Sequence, residues 1–303
     1  MKTPYIFLIF LCCLAILCSC KKESSEEKKS NKFTDNASSQ FTKVDANVST
    51  ITFTNKTIQT LEFNYTQYEY IYTGSGVAVL DFDQDGLQDL YFVSNFGPNK
   101  LYKNKGDFKF EDVTKSSKTE DFVGFSTGVS ILDVNTDGWP DIYVCKAGSL
   151  KSNEERENLL FVNQKDGTFK ESGTKWGLNH PGFSTQAYPI DYDRDGDKDL
   201  YLVNHRYDFN NASTISGDIQ SNIENITSDQ LFRNDGNTFS NVTAELGLYN
   251  KTWGLSAVVS DFNEDGWEDI YICNDFAEPD VLYINQQNGS FRNQINDRMQ
   301  HIS

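Results

Sequence analysis

The hydrophobic positions of this chain fall into short runs separated by acidic segments that contain glycine. The runs are rich in β-branched and aromatic residues and are four residues long or close to it, which predicts strands rather than helices. Pairs of runs flank each acidic segment, so the pattern predicts strand–loop–strand units. The runs cover residues 77–80, 90–93, 129–132, 142–145, 200–203, 258–259 and 270–273.

The acidic segments form an internal repeat. Four nine-residue segments align at residues 81–89, 133–141, 191–199 and 261–269, with spacings of 52, 58 and 70 residues. A Leu-aromatic-x-Asn motif follows each, at residues 101–104, 160–163, 231–234 and 282–285, and then a phenylalanine at Phe110, Phe169, Phe239 or Phe291. These two motifs supply a third and a fourth strand. Four short strands in each repeat predict an all-β fold, a β-propeller of four-stranded blades.

Each nine-residue segment carries oxygen-bearing side chains at positions 1, 3, 5 and 9 and a glycine at position 6. Ca²⁺ takes six to eight oxygen ligands, and a sharp turn at a glycine with positive φ lets such side chains converge. The residue at position 7 offers its backbone carbonyl. We therefore predict about four Ca²⁺ sites. Their ligands are Asp81, Asp83, Asp85, Leu87 and Asp89; Asp133, Asn135, Asp137, Trp139 and Asp141; Asp191, Asp193, Asp195, Asp197 and Asp199; and Asp261, Asn263, Asp265, Trp267 and Asp269.

These segments are not EF-hands. An EF-hand has a bidentate glutamate at position 12, where this chain has Phe92, Val144, Leu202 and Ile272. The alternative is an Asp-Gly turn that only closes a hairpin, and four segments in register weigh against it. An ion at ten times its dissociation constant adds about 1.4 kcal/mol to stability, so four ions are expected to be structural.

The motifs resemble FG-GAP/VCBS repeats, which build the calcium-binding propeller of integrin α subunits. The lead-in at residues 70–79 is closer to the ASPIC/UnbV group, which includes cartilage acidic proteins. The resemblance covers about residues 45–295. Two features depart from it: Asn135 and Asn263 stand at position 3, which is expected to weaken those two sites, and the C-terminal module of the group is absent from this sequence.

The first forty residues predict export and a membrane anchor. An apolar run at residues 6–18 suits a signal peptide and is too short to span a bilayer. It ends in a segment, residues 17–20, that resembles the bacterial lipobox, with Cys20 as the lipidated residue. An ordinary cleavable signal is the alternative. We expect a signal peptide at 1–19, an anchor and flexible tether at 20–40, propeller repeats at 41–303, and a bacterial outer-membrane lipoprotein, with surface display as one outcome.

The net charge limits the classes of partner that the protein can bind, and the cysteine positions bear on its core. The net charge is −17, which argues against nucleic acid because phosphate binding needs clustered Lys and Arg. Cys145 and Cys273 both lie 12 residues after the first Asp of their segments, which predicts two buried core thiols. A disulfide between them is the alternative.

Function is less constrained than fold. A non-catalytic scaffold that binds a surface ligand, such as a glycan or a protein, is the first hypothesis. Residues 205–230 form an insertion, and its candidate ligand residues are His205, Arg206, Tyr207, Asp208 and Phe209. The alternative is a calcium-dependent polysaccharide lyase or hydrolase. It has little support, because the chain has three histidines (His180, His205 and His301) and no Gly-x-Ser-x-Gly motif.

The spacing of the repeats also bears on blade number. From each strand-four phenylalanine to the next acidic segment takes 23, 22 and 22 residues, so a fifth segment is expected near residue 313, beyond Ser303. The sequence therefore predicts four blades and part of a fifth, with missing blades or a partner subunit to complete the propeller.

Overall fold

In the computed structural model of the chain, the described residues are 41–121, 123–148, 152–207, 226–275 and 278–299. The chain divides into two compact units, Met1–Lys43 and Val44–Ser303, and all of the strands lie in the second. Outside the described residues lie the predicted signal peptide, Cys20, the whole predicted tether at 20–40, Asp208, Phe209 and His301. Within the described ranges, no helix has the length and apolar character needed to cross a bilayer.

In the described part of the chain, sixteen strands form four successive sheets of four antiparallel strands, each sheet in simple chain order. The first blade consists of β1 (Val77–Leu80), β2 (Asp89–Phe92), β3 (Lys100–Asn104) and β4 (Phe110–Asp112). The second consists of β5 (Phe125–Leu132), β6 (Asp141–Ala147), β7 (Leu159–Asn163) and β8 (Phe169–Glu171). The third consists of β9 (Ser184–Ile190), β10 (Asp199–Asn204), β11 (Gln230–Asn234) and β12 (Phe239–Asn241). The fourth consists of β13 (Gly254–Ser260), β14 (Asp269–Asn274), β15 (Val281–Asn285) and β16 (Phe291–Asn293). The predicted all-β class and four-stranded blades are confirmed.

The hydrophobic core lies between neighbouring blades. One cluster joins Leu80 and Tyr91 of the first blade to Ile142 and Phe161 of the second. A second cluster joins the second blade to the third, and a third joins the third blade to the fourth. Because alternate residues of a strand point to opposite faces, each interior blade contributes to two clusters. Blade packing rather than any single sheet therefore buries most of the apolar surface.

The segment before the first strand packs against the first blade. Helix α1 (Ala46–Ser49) begins at the cap residue Asp45, whose side chain accepts a hydrogen bond from the Asn47 amide. After it, the Thr52 amide donates to the Tyr102 hydroxyl at 3.3 Å, and the Phe53 and Phe92 rings stack with centroids 4.8 Å apart. This segment covers the face of the first blade that points away from the second.

A second stretch of the same segment reaches the other blades. A 3₁₀ turn at Glu69–Tyr72 places Tyr68, Tyr70 and Ile71 in a buried cluster with side chains of the later blades, including Phe125, Phe183 and Trp253. The Tyr70 hydroxyl donates to the Asp275 carboxylate of the fourth blade at 3.4 Å. Residues that precede the repeats thus tie the first blade to the fourth.

The predicted part of a fifth blade stays a prediction, because the described residues after β16 contain only helix α3 (Ile295–Arg298) and end at Met299. One expectation needs correction at the fourth blade. The two cysteines are free thiols, and only Cys145 is buried, whereas Cys273 is half-buried. Their environments differ because Cys145 faces the third blade, and no described blade lies against Cys273. Helix α2 (Gly173–Trp176), after β8, packs Trp176 into the second interface.

Candidate metal centre and ligand cleft

The four acidic loops each connect the first strand of a blade to its second. Position 6 is a glycine with positive φ in every loop, from 83° at Gly138 to 98° at Gly196, as predicted. Position 4 is also left-handed, with φ between 53° and 61° at Gln84, Thr136, Arg194 and Glu264. This second turn residue had no signal in the sequence, because side chains other than glycine occupy it. Two left-handed residues coil each loop tightly around its first aspartate.

The first aspartate organises the backbone of its loop. The amides of Asp85 and Gly86 donate to the Asp81 carboxylate at 3.1 and 2.9 Å. The second and fourth loops repeat both bonds on Asp133 and Asp261. The side chain at position 5 accepts from the position 7 amide in all four loops, at 2.9 to 3.1 Å. In the first, second and fourth loops, the carboxylates at positions 1 and 5 therefore both accept hydrogen bonds from amides of the same tight turn.

The aspartate at position 9 joins three strands. Both of its oxygens accept backbone hydrogen bonds, from the position 2 amide and from the amide of the Asn in the Leu-aromatic-x-Asn motif. For Asp199 these donors are Tyr192, at 3.2 Å, and Asn234, at 2.9 Å. Asp89, Asp141 and Asp269 make the same pair of bonds. The sequence predicts these residues as metal ligands. The structure adds that each carboxylate also links the start of its loop to the end of the third strand of its blade.

Burial acts on these position 9 carboxyls. All four are at most 1% exposed. Desolvation raises the pKa of Asp89 and Asp141 to about 6 and that of Asp199 to about 7, and it also raises the pKa of Asp269. Two other aspartates of the same loop add to the effect by repulsion in each case. A cation beside these groups would favour their charged forms.

Two loops bring three carboxylates close together. Oxygens of Asp81, Asp83 and Asp89 lie within 4.8 Å of one another, and so do those of Asp191, Asp193 and Asp195. Among the described residues, buried oxygens of Asp83, Asp191 and Asp197 have no hydrogen-bond partner. Unpaired buried oxygens are costly, and a hard cation takes such oxygens as ligands. The residues present therefore fit a bound Ca²⁺.

The four loops differ in the basic and amide side chains that contact their aspartates. Lys103 contacts both Asp83 and Asp85 in the first loop. Lys165 lies 3.2 Å from Asp137 in the second, and the Gln287 side chain donates to Asp265 at 2.9 Å in the fourth. Asn135 and Asn263 accept from the position 5 amide as well. In the third loop all of positions 1, 3, 5, 7 and 9 are aspartates, and the pKa of Asp197 rises to about 6 through burial and its acidic neighbours.

Comparison with known proteins agrees with this geometry. The family model described as "FG-GAP-like repeat" matches residues 81–144 and 133–202, which include the first three loops. The chain carries FG-GAP-like repeats. Their predicted presence in this chain is confirmed.

Two curated relatives are similar over part of their length. Cartilage acidic protein 1 of Xenopus tropicalis is 27% identical over 140 residues, which are 45% of this chain and 20% of that protein. The human protein of the same name is 24% identical over 227 residues, 73% of this chain and 31% of that protein. The predicted resemblance to the cartilage acidic protein group is confirmed, and the chain spans less than a third of these relatives.

The chain is also similar to solved structures, of which one is named here. A Photorhabdus luminescens Tc holotoxin pore has a TM-score of 0.36 and 20% identity, over 70% of this chain and 9% of that chain. A TM-score of this size does not establish a common fold.

Two of the three candidate ligand residues that the structure describes, His205 and Arg206, lie inside the protein. His205 is 1% exposed, its Nδ1 lies 2.7 Å from the Arg206 carbonyl and its Nε2 2.8 Å from the Tyr68 hydroxyl. A carbonyl only accepts, so Nδ1 donates and Nε2 accepts from Tyr68. Burial lowers the pKa of His205 to about 4, which keeps the ring neutral.

The neighbours of His205 divide between interior and surface. Arg206 is buried and lies over the Trp253 ring, with Cζ 4.6 Å from the ring centroid. Tyr207 is 40% exposed and packs on Phe183 with ring centroids 4.6 Å apart. Asp208 and Phe209 lie outside the described residues. Of the predicted set, therefore, only Tyr207 is shown at the surface.

A cleft of about 400 Å³ opens where the first strands of the blades converge. Its lining includes Tyr68, Tyr70 and His205, and also Thr127, Thr185 and Leu255 of β5, β9 and β13. The described residues that line it include no Asp, Glu, Lys or Arg. The cleft thus offers hydroxyls, aromatic faces and backbone groups in an otherwise acidic chain.

Proposed function

We propose that this protein is a non-catalytic, calcium-dependent binding scaffold of the β-propeller type, held at a bacterial cell surface by a lipid on Cys20. The observation that carries the calcium part is the set of unpaired buried oxygens on Asp83, Asp191 and Asp197. Each belongs to a loop whose other acids point to the same place. About four structural Ca²⁺ ions are expected, bound by the residues at positions 1, 3, 5, 7 and 9.

Calcium would act on stability. Without an ion, each loop keeps several carboxylates within a few ångströms, and their repulsion opposes folding. An ion that binds only the folded chain adds about 1.4 kcal/mol at ten times its dissociation constant. Several filled loops would then contribute an energy comparable with the stability of an ordinary domain, which is about 5–15 kcal/mol.

The ligand is proposed to be an uncharged glycan or an uncharged stretch of protein surface. The cleft bordered by Tyr68, Tyr70 and His205 supports this class, because its lining offers hydrogen-bonding groups without fixed charge. The neutral state of His205 supports it as well. The names of the relatives, cartilage acidic protein 1, indicate no reaction, and the non-catalytic role stays part of the proposal.

Calcium stoichiometry and melting temperature of residues 41–303, measured with EDTA and with millimolar CaCl₂, test the proposal. About four bound ions and a melting temperature that rises by several degrees with calcium are expected. Asp191→Asn should remove one ion, because position 1 is an aspartate in all four loops, whereas the control Asp107→Asn, in an exposed turn of the first blade, should remove none. No bound calcium together with a melt that EDTA leaves unchanged would refute the calcium part.

A further inference from the structure

Neighbouring acidic loops are joined by one side chain that recurs at every junction between blades. The Asn of the Leu-aromatic-x-Asn motif, here called the motif Asn, donates from its side-chain amide to two backbone carbonyls, at position 2 of the loop before it and at position 8 of its own loop. The acceptors are Phe82 and Pro140 for Asn163, Val134 and Lys198 for Asn234, and Tyr192 and Glu268 for Asn285. The backbones of adjacent loops are therefore connected at all three junctions.

The junction between the third and fourth loops has further contacts. Arg194, the left-handed residue at position 4 of the third loop, lies over the Trp267 ring with its Cζ 5.4 Å from the ring centroid. The backbone amide of Asp191 donates to the Glu268 carboxylate at 2.6 Å, and the Lys198 ammonium lies 3.3 Å from the same carboxylate. Trp267 and Glu268 stand at positions 7 and 8 of the fourth loop. Side chains and backbone of the third loop thus contact two consecutive residues of the fourth.

The other two junctions have fewer contacts of this kind. Gln84, at position 4 of the first loop, donates one side-chain hydrogen bond, at 2.7 Å, to a backbone carbonyl of the second loop. Thr136 stands at position 4 of the second loop, and in the described part of the chain a Cβ at Gly196 of the third loop would have no neighbour within 4 Å. A Cβ at Gly266, the equivalent residue of the fourth loop, would lie 3.6 Å from Nη1 of Arg194. The position 4 side chain therefore reaches the next loop at the first and third junctions.

We infer that calcium in the third loop strengthens calcium binding in the fourth, and that Arg194 and Glu268 are the positioning residues that couple the two sites. The inference rests on the proposed calcium binding. Asp191 is a proposed ligand of the third ion, and its own amide bonds Glu268. The Trp267 carbonyl is a proposed ligand of the fourth ion. An ion that orders the third loop therefore also orders backbone that supplies a ligand to the fourth, and an ordered site loses less entropy when it binds.

Repulsion between two bound cations acts against this coupling. The repulsion is screened over a Debye length of about 8 Å at physiological ionic strength, and it is present at every junction. At the junction of the second and third loops, the hydrogen bonds between described residues that link one loop to the next blade run through the motif Asn. This junction is therefore the internal reference, and coupling is expected to be largest between the third and fourth loops.

Trp267 can report on both sites, because its carbonyl is a proposed ligand of the fourth ion and its ring lies under Arg194 of the third loop. The test protein is residues 41–303, which keep the whole compact unit that begins at Val44. It carries Trp139→Phe, which leaves Trp267 as the one tryptophan in an acidic loop. Calcium is titrated while Trp267 emission is recorded, and equilibrium dialysis counts the bound ions in this parent protein.

Single-site variants give the titration of each site alone. Asp191→Asn removes the third ion but keeps the amide that bonds Glu268, so the emission follows the fourth site; with Asp261→Asn it follows the third. Independent sites would give a parent titration equal to the sum of these two. Coupling should displace the parent titration to lower calcium, by about threefold when the two affinities are similar. The matched control Asp81→Asn removes an ion from the first loop and should leave the displacement unchanged.

Substitutions at the contacts test the two positioning residues. Arg194→Met should reduce the displacement and should abolish the emission change that calcium causes in Asp261→Asn, whereas Arg194→Lys keeps a cation over the ring and should restore part of both. Glu268→Gln weakens the charge-assisted bond to the Asp191 amide and should also reduce the displacement.

The outcomes separate this inference from the proposed function. Four bound ions with a parent titration that superimposes on the sum of the single-site titrations would overturn the inference and leave the calcium sites in place. A displacement that survives both Arg194→Met and Glu268→Gln would overturn the assignment of these residues. No bound calcium in the parent protein would refute the proposed calcium binding, and the inference with it.

Discussion

The side-chain amide of Asn285 donates to the carbonyl oxygen of Tyr192 across 2.7 Å, and so joins the fourth blade to the acidic loop of the third. The same side chain is 3% exposed, and the backbone amide of Asn285 donates to Asp269 in its own blade. Asn285 therefore bonds the position 9 aspartate of its own loop through its backbone, and it bonds the loop of the neighbouring blade through its side chain. Loop geometry and blade packing are parts of one hydrogen-bonding arrangement.

Replacing Asn285 should cost more than replacing the equivalent residue of the first blade. Asn285→Ala leaves the buried Tyr192 carbonyl without its donor, and a lost buried hydrogen bond of this kind costs about 1–3 kcal/mol. In the control Asn104→Ala, the lost side-chain donor served the Gln88 carbonyl within the same blade, so a smaller loss is expected. Urea unfolding of both variants measures the difference. Equal losses would show that the cross-blade bond adds nothing.

Lys103 is expected to compete with calcium in the first loop. Its ammonium contacts Asp83 and Asp85, and these acids hold the pKa of Lys103 well above its usual range. Lys103→Met should lower the melting temperature in EDTA, because the repulsion is no longer offset, and should enlarge the rise caused by calcium. The control Lys105→Met removes a charge that faces exposed Glu111 and should change neither. An unaltered calcium increment in Lys103→Met would contradict the competition.

Asp229 should make the free energy of unfolding fall as pH rises. Burial raises its pKa to about 7, and its oxygens accept from Tyr201, Asn204 and Asn250. Between about pH 4 and pH 7 the folded state holds a proton that the unfolded state has lost, so stability decreases across this window. Asn158 occupies the equivalent place in the second blade and bonds Tyr143 at 3.0 Å.

The test of Asp229 is a comparison at two pH values. Asp229→Asn removes the buried charge, so its stability relative to the unmodified protein should be higher at pH 8 than at pH 5. Chemical denaturation at both values, in the same calcium concentration, measures the difference. A relative stability that is independent of pH would show that Asp229 titrates normally in the fold.

Gly128 should not tolerate a side chain. A Cβ there would lie 2.0 Å from the Gln186 Oε1 and 2.3 Å from the Thr185 carbonyl oxygen, where β5 and β9 approach each other. The pairing of β5 with β6 also shifts register between Ser126 and Val129. Gly128→Ala should therefore cost about 1–3 kcal/mol through overpacking. The control is Gly97→Ala, whose Cβ would meet only the Ser94 hydroxyl at 3.3 Å. Melting temperatures that fall equally would refute the close-approach explanation.

The repeat and its loops were predictable because local chemistry specifies them. Glycine at position 6 takes the positive φ that its lack of a side chain allows, and the apolar runs beside each loop form the first two strands. The first strand of the third blade, β9, escaped this pattern because it contains Gln186 and Pro189 among its seven residues. Its place was still implied by the loop that follows it.

Contacts between distant residues could not be predicted in the same way. The role of the motif Asn depends on the neighbouring blade, although its presence in all four repeats was a signal that something beyond its own strand required it. The sequence predicts His205 and Arg206 as ligand residues because they are polar and begin an insertion. They are buried because Tyr68 and Trp253, far away in sequence, supply a hydroxyl and a ring that satisfy them.

The bond between Tyr68 and His205 joins residues 137 positions apart, and this separation sets an order on folding. Contacts that close such long loops form after local strand pairing, and a chain is made from its N-terminus. The aromatic residues around Tyr68 therefore stay exposed to solvent until the third and fourth repeats have been synthesised. A nascent chain that ends before these repeats exposes an apolar aromatic surface, and the later blades bury it.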